Sequence, residues 1–408
     1  MVAITPSNPF RVLLTHRNFR SFWIGQTLSL VGSWMQSMAI GWLALELSNS
    51  AFVVGVVVAS GSLPILVFSL YAGVLVDRSD KLRLVTFAQA LLLLEAVLLW
   101  WLTWSGHITV SALIALSLGA GIVQSVEIPA RQALMIDLVG RDDLRDAIAL
   151  NSSGFNLARI VGPALGAAII ANAGMAWCFG VNALSYLTVL IGLKRVRLPP
   201  WVEPRMPGKP VQQIREGLTY ALQHRPVRAL LELVTVFSVL GIPYIALMPV
   251  LARDRLGLGA GGYGVMLSIL GIGGLTGALA LAAMGLHIRR GPLVRRTATL
   301  YATLLLILSF VRQPGFAYPI LLVTGFLMIV NNAMANGMLQ TMVPDEYRGR
   351  LMSIYSMIVV GLPQVVGAFS AGVIAGLIGV QWAIGGAAVA MLGFGWWLFR
   401  RYPELKEL

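Results

Sequence analysis

The chain has 408 residues, of which 57% are hydrophobic and 12% charged, with a mean hydropathy of +0.80. A soluble domain carries about 25% charged side chains, and so few cannot cover a globule of this length. A cytosolic enzyme, a disordered chain and a nucleic-acid-binding domain are therefore excluded, and the net charge of +13 must be explained by where it sits. One cysteine, Cys178, and four histidines in or beside predicted loops (His16, His107, His224, His287) exclude a disulfide framework and a Cys/His metal centre.

A helix that crosses a bilayer needs about 20 mostly apolar residues. In chain order, twelve runs meet that requirement: 18–46, 51–76, 83–104, 108–133, 145–171, 174–194, 228–252, 261–285, 295–312, 316–342, 350–378 and 381–400. They are too long for membrane strands and lack two-residue alternation, so helices that satisfy their own backbone are predicted. The longest must tilt. No short apolar segment with a small-residue cleavage site stands at the start, and the first span is expected to stay. Pro64, Pro129, Pro163, Pro243, Pro249 and Pro363 fall inside spans as bending points.

With the N-terminus placed in the cytoplasm, 26 of the 30 Lys and Arg residues fall on the cytoplasmic side, Arg131, Arg141 and Arg145 among them. Arg253, Arg255 and Arg312 fall outside, and Arg159 falls within the membrane. Basic loops belong in the cytoplasm, so both termini are placed there and the positive charge faces anionic lipid. The HRxxR elements, with Arg17 and Arg20 before the first span and Arg225 and Arg228 before the seventh, read as headgroup anchors. Leu14–Arg20 and Leu222–Arg228 share four of seven residues at an offset near half the chain. Together with six spans on each side, this predicts an all-α membrane protein of two pseudo-symmetric six-helix bundles, 1–194 and 228–408. A cytoplasmic linker, 195–227, joins them. Val211, Ile214, Leu218 and Leu222 recur there at helical spacing and predict an amphipathic helix.

Between the second and third spans stands Gly73-Val-Leu-Val-Asp77-Arg78-Ser-Asp-Lys81-Leu-Arg83. The fifth span carries Arg159-Ile-Val-Gly162-Pro163-Ala-Leu-Gly166. Between them lie Glu127-Ile-Pro129-Ala-Arg131, Asp137-Leu-Val-Gly-Arg-Asp-Asp and Asn151-Ser-Ser-Gly-Phe-Asn156. The loop signature resembles that of the major facilitator superfamily. The longer set is similar to its branch of enterobactin-exporter-like and macrolide-efflux-like proteins, the transmembrane secretion effector type. The resemblance implies that Gly73, Asp77, Arg78, Lys81, Arg83 and Asp137 form a cytoplasmic gate. In it Asp77 would face the start of the eleventh span near Gly349–Ser353, and Lys81 or Arg83 would reach Asp137. It also implies that Gly162, Pro163 and Gly166 are a hinge motif of exporters. Gly73 itself is expected to permit close helix approach.

Charges inside a membrane mark function by default. Arg159 lies about 21 Å from either flank of its span and needs an anion. Glu127, on the preceding antiparallel span at a depth of about 15 Å, is the expected counter-charge. A Glu127–Arg159 pair lining the cavity would couple a proton to transport, the alternative being a permanent ion pair that fixes two helices. Glu95, midway along the third span, is expected to make a structural hydrogen bond to the second. Uncharged polar residues recur along the first, fourth, tenth and eleventh spans. Gln26, Ser33, Gln36, Gln124, Asn156, Asn331, Asn332, Asn336 and Gln364 are the candidate cavity wall, the alternative being hydrogen bonds between helices.

No GxxxxGK[ST], HExxH or GxSxG stands in the chain, so no enzyme, cofactor or metal is expected. The reading is a proton-coupled exporter of amphipathic organic molecules, drug- or siderophore-like, working by alternating access as a monomer in the bacterial inner membrane. Its partners are the small molecule, protons and lipid, with no nucleic acid. The alternative is a lysophospholipid flippase or an importer on the same fold.

Overall fold

The computed structural model of the protein describes residues 10–199, 218–284 and 290–402. Twelve helices among them are long and apolar enough to cross a membrane, and no strand occurs among the described residues. A short helix, Phe10–Thr15, leads into α1 (Arg17–Ser48), α2 (Ala51–Asp77), α3 (Lys81–Trp104), α4 (Val110–Val139), α5 (Leu144–Ala173) and α6 (Ala176–Lys194). The later spans are α7 (Arg225–Ile245), α8 (Ala260–Met284), α9 (Arg290–Phe310), α10 (Pro314–Met342), α11 (Asp345–Ile378) and α12 (Val380–Arg401). The linker at 200–217, with Val211 and Ile214 of its expected amphipathic helix, lies outside the described residues, as does His287. Residues 218–223 are helical, and Tyr220 stacks on His224 and Tyr347 with ring centroids 3.8 and 4.4 Å apart.

The helices outrun the apolar runs that reveal them, because a helix ends where its backbone is capped, not where lipid ends. Asp80 caps α3 by accepting from the Arg83 amide at 3.1 Å. Thr109 does the same for α4 from Ala112 at 3.2 Å. At its other end α4 continues to Val139 and stops at Gly140, whose φ of +75° an L side chain rarely adopts. The apolar run ends at 133, but the helix carries Asp137 as well as Arg131.

Proline explains the irregular spans. Its ring clashes with the carbonyl four residues back and it donates no hydrogen bond; a wider turn accommodates both. Such π-helical turns occur at Phe237–Gly241, just before Pro243, and at Met357–Gly361 and Pro363–Gly367 in α11. α2, α4 and α5 pass through Pro64, Pro129 and Pro163 as continuous helices. The seventh span was expected to run to 252. It gives way after Ile245 to short turns at Met248–Val250 and Leu251–Arg255.

The chain divides into two compact units, one drawn from Met1–Leu43 and Val67–Met206, the other from Ala44–Leu66 and Pro207–Leu408. In the first, Phe19, Phe22, Val85, Leu134 and Val189 are buried in one cluster. There α5 packs on α1 through Gly162: a Cβ at that position would lie 2.7 Å from the Val31 carbonyl oxygen. In the second, Leu230, Leu339, Leu351 and Leu398 are buried together. Within it α2 crosses α11, where a Cβ on Gly55 would lie 2.6 Å from the Ala368 carbonyl oxygen. Small residues let backbones meet in lipid, where packing must stand in for the hydrophobic effect.

Candidate functional site

The first unit holds the buried charge. Glu127, on α4, is only 4% exposed. Its Oε1 accepts from Gln89 Nε2 of α3 at 3.0 Å and from Arg131 Nε at 2.9 Å. The acid and base stand four residues apart on one helix, so their side chains share a face, and the Arg131 side chain is 12% exposed. The sequence counts Arg131 with the cytoplasmic charges and offers Arg159 as the counter-charge; the structure adds Arg131 as a partner of Glu127 and sets Arg159, half-buried, on α5.

A second acid sits on the neighbouring helix. Glu95, on α3, is 7% exposed, and both its oxygens accept from Gln36 Nε2 of α1, at 3.0 and 3.3 Å. Gln36 Oε1 in turn accepts from Asn182 Nδ2 of α6 at 2.8 Å. Asn182 Oδ1 accepts from Ser185 Oγ at 2.9 Å. The bond expected from Glu95 to the second span is therefore made to α1. A carboxylate turned toward the bundle interior finds whichever polar group shares its depth, and Gln36 lies there. Gly32 makes this chain possible, since a Cβ on it would collide with Asn182 Oδ1 and come within 2.5 Å of Ser185 Oγ. Tyr186, one turn from Asn182, shares a hydrogen bond with Ser33 Oγ at 3.3 Å and lies within electrostatic reach of both Glu95 and Glu127. Glu95, Glu127, Arg131 and Tyr186 with their amide partners thus form one buried polar layer across α1, α3, α4 and α6. Asn182 carried no signal in the sequence beyond being an amide in an apolar run.

The other candidates scatter. Gln26 is buried, and Gln124 and Asn156 are half-buried, with Asn156 Nδ2 donating to the Ser152 carbonyl at 2.9 Å. In the second unit Asn331 Nδ2 donates to Thr297 Oγ1 at 3.0 Å and to the Val294 carbonyl at 3.1 Å, tying α10 to α9. The Asn332 carbonyl accepts from the Tyr355 hydroxyl at 2.9 Å, and Asn336 from Gln340. Gln364 is half-buried within a π turn of α11.

At the loop signature, Lys81 Nζ meets Asp137 Oδ2 at 3.5 Å, joining the start of α3 to the end of α4. Arg83 turns back to its own helix cap, 3.4 Å from Asp80, and stays 89% exposed. Asp77 closes α2, and Arg78 beside it is exposed. Gly73 does not serve a close approach: a Cβ there would meet nothing within 4 Å. The close contacts belong instead to Gly162 and Gly166, the latter against Met35 and Met38 of α1. Pro163 is buried between them.

The described residues thus hold twelve helices long and apolar enough to cross a membrane, and the first unit carries acids and amides buried among them, with a base beside one acid. The chain matches the transmembrane secretion effector family over residues 5–407, and it belongs to that family. The Staphyloferrin A transporter of Staphylococcus aureus is 27% identical over 64% of this chain and 66% of that protein. The enterobactin exporter EntS of Escherichia coli O1:K1 is 26% identical over 85% of this chain and 82% of that protein. Among solved structures, a bacterial homologue of the human lysosomal transporter Spinster superposes with a TM-score of 0.73 at 11% identity, covering 98% of this chain and 99% of that one. The nucleoside transporter NupG follows at 0.70 and 11%, covering 96% and 99%. The fold is that of the major facilitator superfamily.

Proposed function

We propose that the protein is a proton-driven exporter of amphipathic, siderophore- or drug-like molecules across the bacterial inner membrane, working by alternating access. The observation that carries this reading is Glu127. A carboxylate inside a membrane span is costly, and this one is held against one guanidinium and one amide. A proton arriving at Glu127 discharges that pair, releases Arg131, and changes the field felt by Arg159, Tyr186 and Glu95. The released guanidinium seeks a new anion or water, and this is the local change that would bias one cavity orientation over the other. The cargo class is supported by the likeness to a staphyloferrin A transporter and an enterobactin exporter and by a polar layer of amides beside apolar helices, which suits a molecule of mixed surface.

Uptake into inverted proteoliposomes tests the reading, with a catecholate and a carboxylate siderophore and a cationic dye as separate cargoes. An imposed pH gradient is expected to drive accumulation of at least one cargo at ten times the rate without a gradient. Accumulation that ignores the gradient for every cargo would remove proton coupling. Movement of a labelled lysolipid alone would replace export by lipid flipping.

A further inference from the structure

The surface of the first unit carries a site that the transport reading does not use. Arg17 and Arg20 at the start of α1 and Arg195 just after α6 line one cavity of about 390 Å³. Among the described residues no carboxylate lines it, and none of the three arginines makes an ion pair. Asp143, the acid beside this end of the chain, is taken by His16 at 2.7 Å. All three side chains are exposed, and like charges gathered at one cavity favour an anion from outside the chain.

The floor of the cavity says what that anion is attached to. Here α1 and α6 touch through backbone: a Cβ on Gly25 would lie 2.7 Å from the Thr188 carbonyl oxygen, and one on Gly192 would lie 2.6 Å from that of Ser21. Ser21 and Thr188 also line the cavity, the Thr188 hydroxyl donating to the Ser185 carbonyl at 2.6 Å. Ile24 and Ile191 line the cavity too, and the same two helices continue with exposed apolar residues. Ile24 and Leu28 on α1, and Leu184, Leu187 and Ile191 on α6, are all exposed and recur at helical spacing. A cavity lined by three arginines, Ser21 and Thr188, with exposed apolar residues continuing along both of its helices, matches the charged head and apolar tails of an anionic phospholipid.

The second half of the chain shows the contrast. Its matching element, Leu222–Arg228, carries the same pair of arginines, but Arg228 Nε meets Glu232 Oε1 at 2.8 Å and Arg225 lies over the Tyr402 ring at 5.9 Å. The residue four beyond Arg228 is Glu232, and the residue four beyond Arg20 is Ile24. One copy supplies its own counter-charge and the other presents an apolar wall.

We propose that Arg17, Arg20 and Arg195 form a binding site for the phosphate of an anionic phospholipid, whose acyl chains lie along α1 and α6. Guanidinium groups suit a phosphate because their paired donors match its oxygens. Native mass spectrometry tests this on protein purified in mild detergent and supplied with phosphatidylglycerol or phosphatidylcholine. The wild type is expected to retain phosphatidylglycerol at least ten times more than phosphatidylcholine. The triple variant Arg17→Gln, Arg20→Gln, Arg195→Gln is expected to lose that preference. Ile24→Glu, at an exposed position, installs the second half's own carboxylate and is expected to reduce retention several-fold with all three arginines intact. Arg225→Gln with Arg228→Gln is expected to change nothing. Equal retention of phosphatidylglycerol by wild type and both first-half variants would overturn the site. Inorganic phosphate at millimolar concentration that displaces the lipid completely would show a free-anion site and overturn the phospholipid assignment.

Discussion

Glu127 and Glu95 are both buried acids, yet their surroundings predict different losses. Glu127 faces a charge, and removing Arg131 strands that acid in the bundle, so Arg131→Ala is expected to cost about 3–5 kcal/mol. Glu127→Gln combined with Arg131→Met removes both charges and is expected to recover most of that loss, while abolishing gradient-driven transport. Thermal unfolding in detergent reads the first effect, and proteoliposome uptake reads the second. A double variant that keeps gradient-driven uptake would dismiss Glu127 as the coupling group. Glu95 faces only amides. Glu95→Ala leaves Gln36 Nε2 buried with no acceptor, a loss of about 1–3 kcal/mol, whereas Glu95→Gln keeps an acceptor oxygen and is expected to lose less than about 1 kcal/mol. Equal stability of the alanine and glutamine variants would show that the Gln36 bond contributes nothing. The acids themselves were legible, because any charge within an apolar run stands out. Their partners were not. Arg131 is sequence-adjacent to a flank and was counted with the cytoplasmic charges, and Asn182 matters only because the fold of α6 brings it against Gln36.

At the scale of elements, lipid makes the spans readable: a helix that must satisfy its own backbone and face hydrocarbon announces itself as an apolar run. Its ends are less readable, since α4 continues through Arg131 and Asp137 until Gly140 stops it. The glycines separate in the same way. Gly73 and Gly162 both belong to family motifs, but only the contacts of the fold tell them apart. Gly162→Val pushes α5 off the Val31 carbonyl of α1 and is expected to cost about 1–3 kcal/mol, as overpacking does. Gly73→Ala meets open space and is expected to stay within about 0.5 kcal/mol of wild type, the usual range for a surface change. Thermal shifts of the two variants side by side decide this; a larger loss at Gly73 than at Gly162 would mean that the α1–α5 crossing is not a tight one.

Over the whole molecule, the direction of transport depends on which way the chain is inserted. The charge of +13 over 408 residues is confined largely to one set of loops, and the positive-inside rule assigns those loops to the cytoplasm. The single native thiol makes this measurable, because Cys178 is wholly buried, its sulfur 3.6 Å from the Gly166 carbonyl oxygen, and a membrane-impermeant maleimide cannot reach it. Ser79→Cys, in the loop between α2 and α3, is expected to label only in inverted vesicles. His107→Cys, at the exposed turn between α3 and α4, is expected to label only in intact cells stripped of their outer membrane. The two sites are separated by the single helix α3, so each controls for the other. The reverse pattern would place Lys81, Asp137 and the three arginines of the lipid groove on the outer face. Proton entry from outside would then reach the opposite end of the Glu127 layer, and the same chemistry would have to run as import.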